Sequence, residues 1–185
     1  MEPMDKPALI IIDMQKGMAT PQAGPRNNPQ AEANIALLLQ AWRDRAWPIV
    51  HVRHMSRAPG SLFWPGQVNN EFQPALAPLP HEQVVEKKIP CAFTNNMLDG
   101  WLRERRITQL VIAGVSTNNS VEATARTAGN LGFAVRVVSD ACFAFDKVDY
   151  AGTPRSAAEV HAMSLANLDG EYASISSSDK VLDQL

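Results

Sequence analysis

A chain of 185 residues with 45% hydrophobic and 19% charged residues has the composition of an ordinary globular protein with a sizeable core. Its 17 basic and 19 acidic residues leave a net charge of −2 with no basic run, which argues against a nucleic-acid or membrane-surface partner. The apolar run Ala8–Ile12 is too short for a signal-peptide core or a membrane helix, and Cys91 and Cys142 form neither a zinc spacing nor a disulfide framework. The expectation is one cytoplasmic domain over residues 1–185.

Ala8–Ile12 reads as a buried strand. Ala31–Ala46 reads as a helix, with Ile35, Leu38, Leu39 and Trp42 recurring along one face. Pro48–Arg53 and Gln83–Glu86 are the next two strands. Met97–Arg105 is helical through Leu98, Trp101 and Leu102. Gln109–Ala113 is a fourth strand, and Ser120–Leu131 a helix with the stripe Val121, Thr124, Ala125 and Ala128, closed by Gly132. Ala134–Val138, a helix over Arg155–Leu168 and a strand at Tyr172–Ile175 complete the pattern. Strand and helix alternate, so the fold class is α/β: a parallel sheet with helices on both faces. Residues 55–81 interrupt the alternation. Five prolines and two glycines make this a long irregular loop, and Phe63, Trp64 and Phe72 make it a candidate roof for a small-molecule pocket.

Ligands of open α/β sheets bind beyond the carboxyl ends of the strands. Three candidate positions fall there. Asp13 directly follows an apolar run, where partial desolvation raises a carboxylate's pKa and suits it to acid–base work; loop capping is the simpler alternative. Lys87 and Lys88 follow the third strand, where one of them can offset a buried Asp13 or both can be solvated. Gly114-Val115-Ser116-Thr117-Asn118-Asn119-Ser120 joins the fourth strand to a helix, whose N-terminal N–H groups favour an anion. Capping accounts for one polar residue there more readily than for five. His51 and His54, three apart on a strand, point to opposite faces, so a metal shared between them is not expected.

Taken together, Leu9-Ile10-Ile11-Ile12-Asp13-Met14-Gln15, Lys87 with Cys91-Ala92-Phe93, Val111-Ile112-Ala113-Gly114-Val115-Ser116-Thr117, Val121-Glu122-Ala123-Thr124-Ala125-Arg126 and Val138-Ser139-Asp140-Ala141 resemble the isochorismatase-like, or cysteine hydrolase, family in order and spacing. The resemblance spans Pro7 to Val181. It implies a three-layer α/β/α fold with a six-stranded parallel sheet in the order 3-2-1-4-5-6, and a homodimer or homotetramer. It implies a hydrolase of small amide or imide C–N bonds with Asp13 and Lys87 in the site. It also implies a cis peptide at Val115–Ser116, with the N–H groups of Ser116 and residue 120 forming an oxyanion hole.

The chain departs from the family pattern at the nucleophile, where Ser120 stands at the cysteine position. Ser120 is then an engineered change, a natural serine that attacks with Asp13 as base, or a sign that no nucleophile is used. The last case corresponds to isochorismatase-type vinyl-ether hydrolysis with Asp13 as general acid; a catalytically inactive binding protein is a further alternative. Phe63, Trp64, Phe72, Phe93, Asn118 and Asn119 are the expected substrate-binding residues. No cofactor is expected. No metal is expected either, because Val52-Arg53-His54-Met55-Ser56-Arg57 lacks the Asp that nicotinamidases place there.

Overall fold

The computed structural model describes residues 6–185. Six strands, β1 (Ala8–Ile12), β2 (Ile49–His54), β3 (Gln83–Lys87), β4 (Gln109–Val115), β5 (Ala134–Phe143) and β6 (Ser174–Ser176), form one parallel sheet in the order β3-β2-β1-β4-β5-β6. This is the architecture the resemblance implies. Strand β1 lies at the centre because all five of its side chains are apolar and both its faces are covered.

Alternation along β1 divides the core in two. Ala8, Ile10 and Ile12 pack with Leu98 and Leu102 of α2 (Met97–Glu104) and Ala125 and Ala128 of α3 (Glu122–Asn130). Leu9 and Ile11 pack on the opposite face with Ile35, Leu38, Leu39 and Trp42 of α1 (Ala31–Asp44). Each such buried side chain contributes roughly 1.5–3 kcal/mol. The Trp42 indole meets its polar requirement by donating to the Pro7 carbonyl at 2.8 Å. Helix α4 (Ala157–Leu168) begins in a capping box between Ser156 and Glu159, so it starts two residues later than the apolar pattern predicts. Residues Pro154–Arg155 instead pair with Lys147–Val148 as a short antiparallel ribbon.

Three local departures bear on the site. The helix expected over Ser120–Leu131 is a π-turn, Thr117–Val121, running into α3; the Val121 N–H reaches back five residues to the Ser116 carbonyl at 3.2 Å. Strands β2 and β3 each run one residue past the expected end, to His54 and Lys87, which lie in register. Strand β5 continues to Phe143, with a register shift against β4 between Ile112 and Gly114. Its polar pair Ser139-Asp140 resembles a turn, but the Asp140 carboxylate accepts from the Ser178 N–H at 2.7 Å and hydroxyl at 2.8 Å, anchoring α5 (Ser178–Asp183). Among the described residues no helix is long and apolar enough to cross a membrane.

Candidate active site

The ends of β1, β3 and β4 bring three side chains to one point. Asp13 follows β1 with φ of 53°, and its N–H is fixed to the Val52 carbonyl at 3.0 Å. Lys87 is the last residue of β3. Ser120 lies within the π-turn after β4. The Lys87 ammonium donates to Asp13 Oδ2 at 2.8 Å and to Ser120 Oγ at 3.2 Å. All three residues are buried: Asp13 is 2% exposed, Lys87 1% and Ser120 5%.

Two forces oppose one another at Asp13. Burial raises its pKa, because a carboxylate loses hydration there. The Lys87 charge and hydrogen bond, and more weakly Ser120, pull it back down. The other carboxylate oxygen, Oδ1, is buried and has no hydrogen-bond partner among the described residues. Lys87 thus holds one oxygen and leaves the other available as a proton acceptor.

The loop carrying Ser120 is fixed from both sides. The Val115–Ser116 peptide is cis. Gly114, with φ of +126°, abuts β1 so closely that a Cβ there would stand 2.2 Å from the Ile12 carbonyl oxygen. Beneath the turn, Thr117 Oγ1 and His161 Nδ1 are 2.8 Å apart, and the Ser164 hydroxyl sits 2.9 Å from the Thr117 carbonyl and 2.6 Å from Glu122 Oε2. The two contacts to Thr117 tie the turn to α4, and the one to Glu122 ties α3 to α4.

The segment 55–81 folds back over the end of β1. Gln15, fully buried, donates to the His54 and Asn70 carbonyls and accepts from the His54 N–H. Asn70 donates in turn to the carbonyls of His54 and Phe63, each at 2.8 Å. These bonds set the Phe63 ring edge-on to His54, with centroids 6.3 Å apart.

The expected lining residues are not all brought together. Phe63 comes to the site through His54, and Trp64 beside it is 40% exposed. Phe72 instead packs on His51, with ring centroids 5.9 Å apart, and beneath the Arg53 guanidinium, side chains that alternation along β2 turns away from His54. Phe93 packs against Phe133 with centroids 6.0 Å apart. Asn118 accepts from the Ser116 hydroxyl at 2.7 Å, and Asn119 is exposed. A groove of about 850 Å³ lies apart from Asp13, Lys87 and Ser120, between the ribbon and α4, and touches the Ser120 loop at Asn118.

His54, weighed from the sequence only as a metal ligand, belongs to this site: its Nδ1 lies 3.2 Å from the Lys87 ammonium. Burial and the Lys87 charge lower its pKa to about 4, so it is neutral at pH 7. The clue in the sequence is the pairing of the β2 and β3 ends. Among the described residues no cluster of three or more His, Cys, Asp or Glu side chains is placed to hold a metal.

Comparison with known proteins gives matches over nearly the whole chain. Residues 7–179 match the model of the isochorismatase domain. The isochorismatase family protein YrdC of Bacillus subtilis is 36% identical over 179 residues, covering 97% of this chain and 96% of its own. The crystal structure of an isochorismatase-family protein from Chromobacterium violaceum superposes with a TM-score of 0.94 at 54% identity, covering 97% of this chain and 93% of its own. The ureidoacrylate amidohydrolase RutB of Cronobacter sakazakii is 28% identical over 172 residues, 74% of each chain.

Proposed function

The chain belongs to the isochorismatase family of hydrolases, and from that premise we propose that it cleaves a small amide- or imide-type C–N bond. The observation that carries the reading is the Lys87 ammonium held within 3.2 Å of both Asp13 and Ser120 in a buried site. The similarity to an amidohydrolase supports the bond type.

In this reading the Ser120 hydroxyl attacks the substrate carbonyl carbon, and its proton passes to Asp13. The new C–O bond pushes the carbonyl electron pair onto oxygen, where the N–H groups of Ser116 and Ser120 receive it. Such donors are worth roughly 3–4 kcal/mol each in comparable sites. As the electron pair returns, the C–N bond breaks and Asp13 returns its proton to the leaving nitrogen. Water, deprotonated by Asp13, then attacks the ester carbonyl carbon; the bond to Ser120 Oγ breaks, Asp13 returns the proton to that oxygen, and the acid leaves. Lys87 opposes the effect of burial on Asp13 and so favours its ionised form before the first step. Phe63 and Trp64 line the entrance. The same reading takes the protein as a cytoplasmic homodimer or homotetramer working on a small molecule without cofactor or metal, and sedimentation velocity tests the assembly.

A thiol ionises far more readily than a hydroxyl. Ser120→Cys therefore raises turnover of small amides, imides or N-carbamoyl compounds by tenfold or more, equivalent to about 1.4 kcal/mol in barrier. One observation favours a second reading: burial raises the pKa of Asp13, as a general acid for vinyl-ether hydrolysis requires. Such a substrate's carboxylates would need cations from Arg53, Arg57 or Arg126, and two of these are already engaged, Arg53 with Glu86 and Arg126 with Glu122. Turnover of isochorismate by the unaltered chain, with no amide turnover by Ser120→Cys, selects this second reading. Binding without turnover in both selects a non-catalytic pocket.

A further inference from the structure

The Lys87 ammonium has three N–H donors, and three acceptors surround it: Asp13 Oδ2 at 2.8 Å, Ser120 Oγ at 3.2 Å and His54 Nδ1 at 3.2 Å. An ammonium has no lone pair, so at each contact it is the donor. Nδ1 of His54 must then be unprotonated, and the ring proton resides on Nε2. The imidazole is itself held by its backbone, whose N–H and carbonyl are both bonded to Gln15 and whose carbonyl also accepts from Asn70.

Resting on the Asp13–Lys87–Ser120 site proposed above, we propose that His54 is a positioning residue: its neutral imidazole accepts the third Lys87 N–H and thereby fixes the ammonium between Asp13 and Ser120. With two acceptors, a flexible four-carbon side chain can swing its charge entirely onto Asp13. With three acceptors within 3.2 Å, it cannot do so without losing a hydrogen bond in a buried site. A held ammonium keeps the Ser120 oxygen as an acceptor and leaves the hydroxyl proton for Asp13. The charged groups arrayed before His54 are Lys87 from β3 and, behind it, Asp13 from β1; the loop over it presents the Phe63 ring. The His54 pKa is lowered to about 4, first by burial and then by the Lys87 charge, so the ring stays a neutral acceptor at pH 7.

The test has a spectroscopic arm and a kinetic arm. Long-range ¹H–¹⁵N spectra of the folded, unaltered protein, with His54 assigned by its loss in His54→Asn, should show the Nε2–H tautomer with Nδ1 accepting, persisting from pH 8 to below pH 5. An Nδ1–H tautomer, or ordinary titration near pH 6.5, overturns the proposal. In the kinetic arm, His54→Phe in the Ser120→Cys background should lower kcat at least tenfold with KM within twofold. His54→Asn, which retains an acceptor at the δ position, should recover most of the loss. Equal effects of the two substitutions, or a change confined to KM, overturn it. If no amide is turned over in any background, the amidase reading fails, while the tautomer measurement still decides the role of His54.

Discussion

At the residue scale the decisive feature is a lysine with 1% exposure beside an aspartate with 2%. Neither charge is tolerable alone in such a place, and each is tolerable because the other is 2.8 Å away. Lys87→Met leaves the Asp13 carboxylate buried without its cation and should destabilise the fold by about 3–5 kcal/mol at pH 8, measured by urea unfolding. Burial raises the Asp13 pKa, so without Lys87 the group takes up a proton more readily as pH falls, and the penalty should shrink by pH 5. Adding Asp13→Asn to Lys87→Met should restore part of the loss, since the orphaned charge is removed. A penalty below about 1 kcal/mol at pH 8 would contradict the account, because it would match an exposed pair.

At the element scale the site depends on how closely β4 approaches β1. Residue 114 pairs with Ile12, immediately before Asp13, and it has both a positive φ and no room for a Cβ. Gly114→Ala adds overpacking, about 1–3 kcal/mol, to a conformational cost of about 1 kcal/mol. Gly132→Ala carries the conformational cost alone, because its positive φ is accompanied by open space. Urea unfolding should therefore rank Gly114→Ala as the more destabilising by at least about 1 kcal/mol; equal losses would mean that β4 yields easily.

The same element shows what could be read in advance. Strand β1 and Asp13 were legible because five apolar residues end abruptly in a carboxylate, and the sheet order came with the family resemblance. The π-turn was not legible, since nothing in Thr117–Val121 separates a five-residue backbone closure from a four-residue one. His54 and Phe72 required the side-chain direction along β2 and the path of segment 55–81, which depends on buried Gln15 and Asn70 binding backbone groups up to 55 residues away. Composition marked the segment as a loop but carried no information on which of its rings packs against His54.

Across the whole molecule three histidines, His51 and His161 buried and His54 half-buried, set the response to acid. Burial lowers the pKa of His51, His54 and His161, and His54 falls to about 4. An unfolded chain takes up these protons near pH 6.5 while the folded chain resists them, so their contribution is complete above that pH and is lost as pH falls. Glu82 is pushed up by burial, but the Arg43 hydrogen bonds, the Leu79 N–H and His51 outweigh this and bring it down to about 2. Its contribution is present above its ordinary value of 4.5 and is lost as pH falls toward 2. Asp13, with a raised pKa, works in the opposite sense and offsets part of the loss. Calorimetry should therefore show Tm falling from pH 6.5 to 4 and continuing to fall below pH 4. A Tm that is level or rises from pH 7 to 4 would contradict these assignments.

In the proposed mechanism Asp13 takes the proton of the nucleophile at position 120. The most direct measurement is the steady-state turnover of one small amide by four proteins: the unaltered chain, Ser120→Cys, Asp13→Asn and the double variant, each confirmed folded by circular dichroism. Ser120→Cys should gain tenfold or more, and the double variant should be no faster than Asp13→Asn alone. A gain that survives Asp13→Asn would contradict the mechanism, because the thiol would then be losing its proton to some other group.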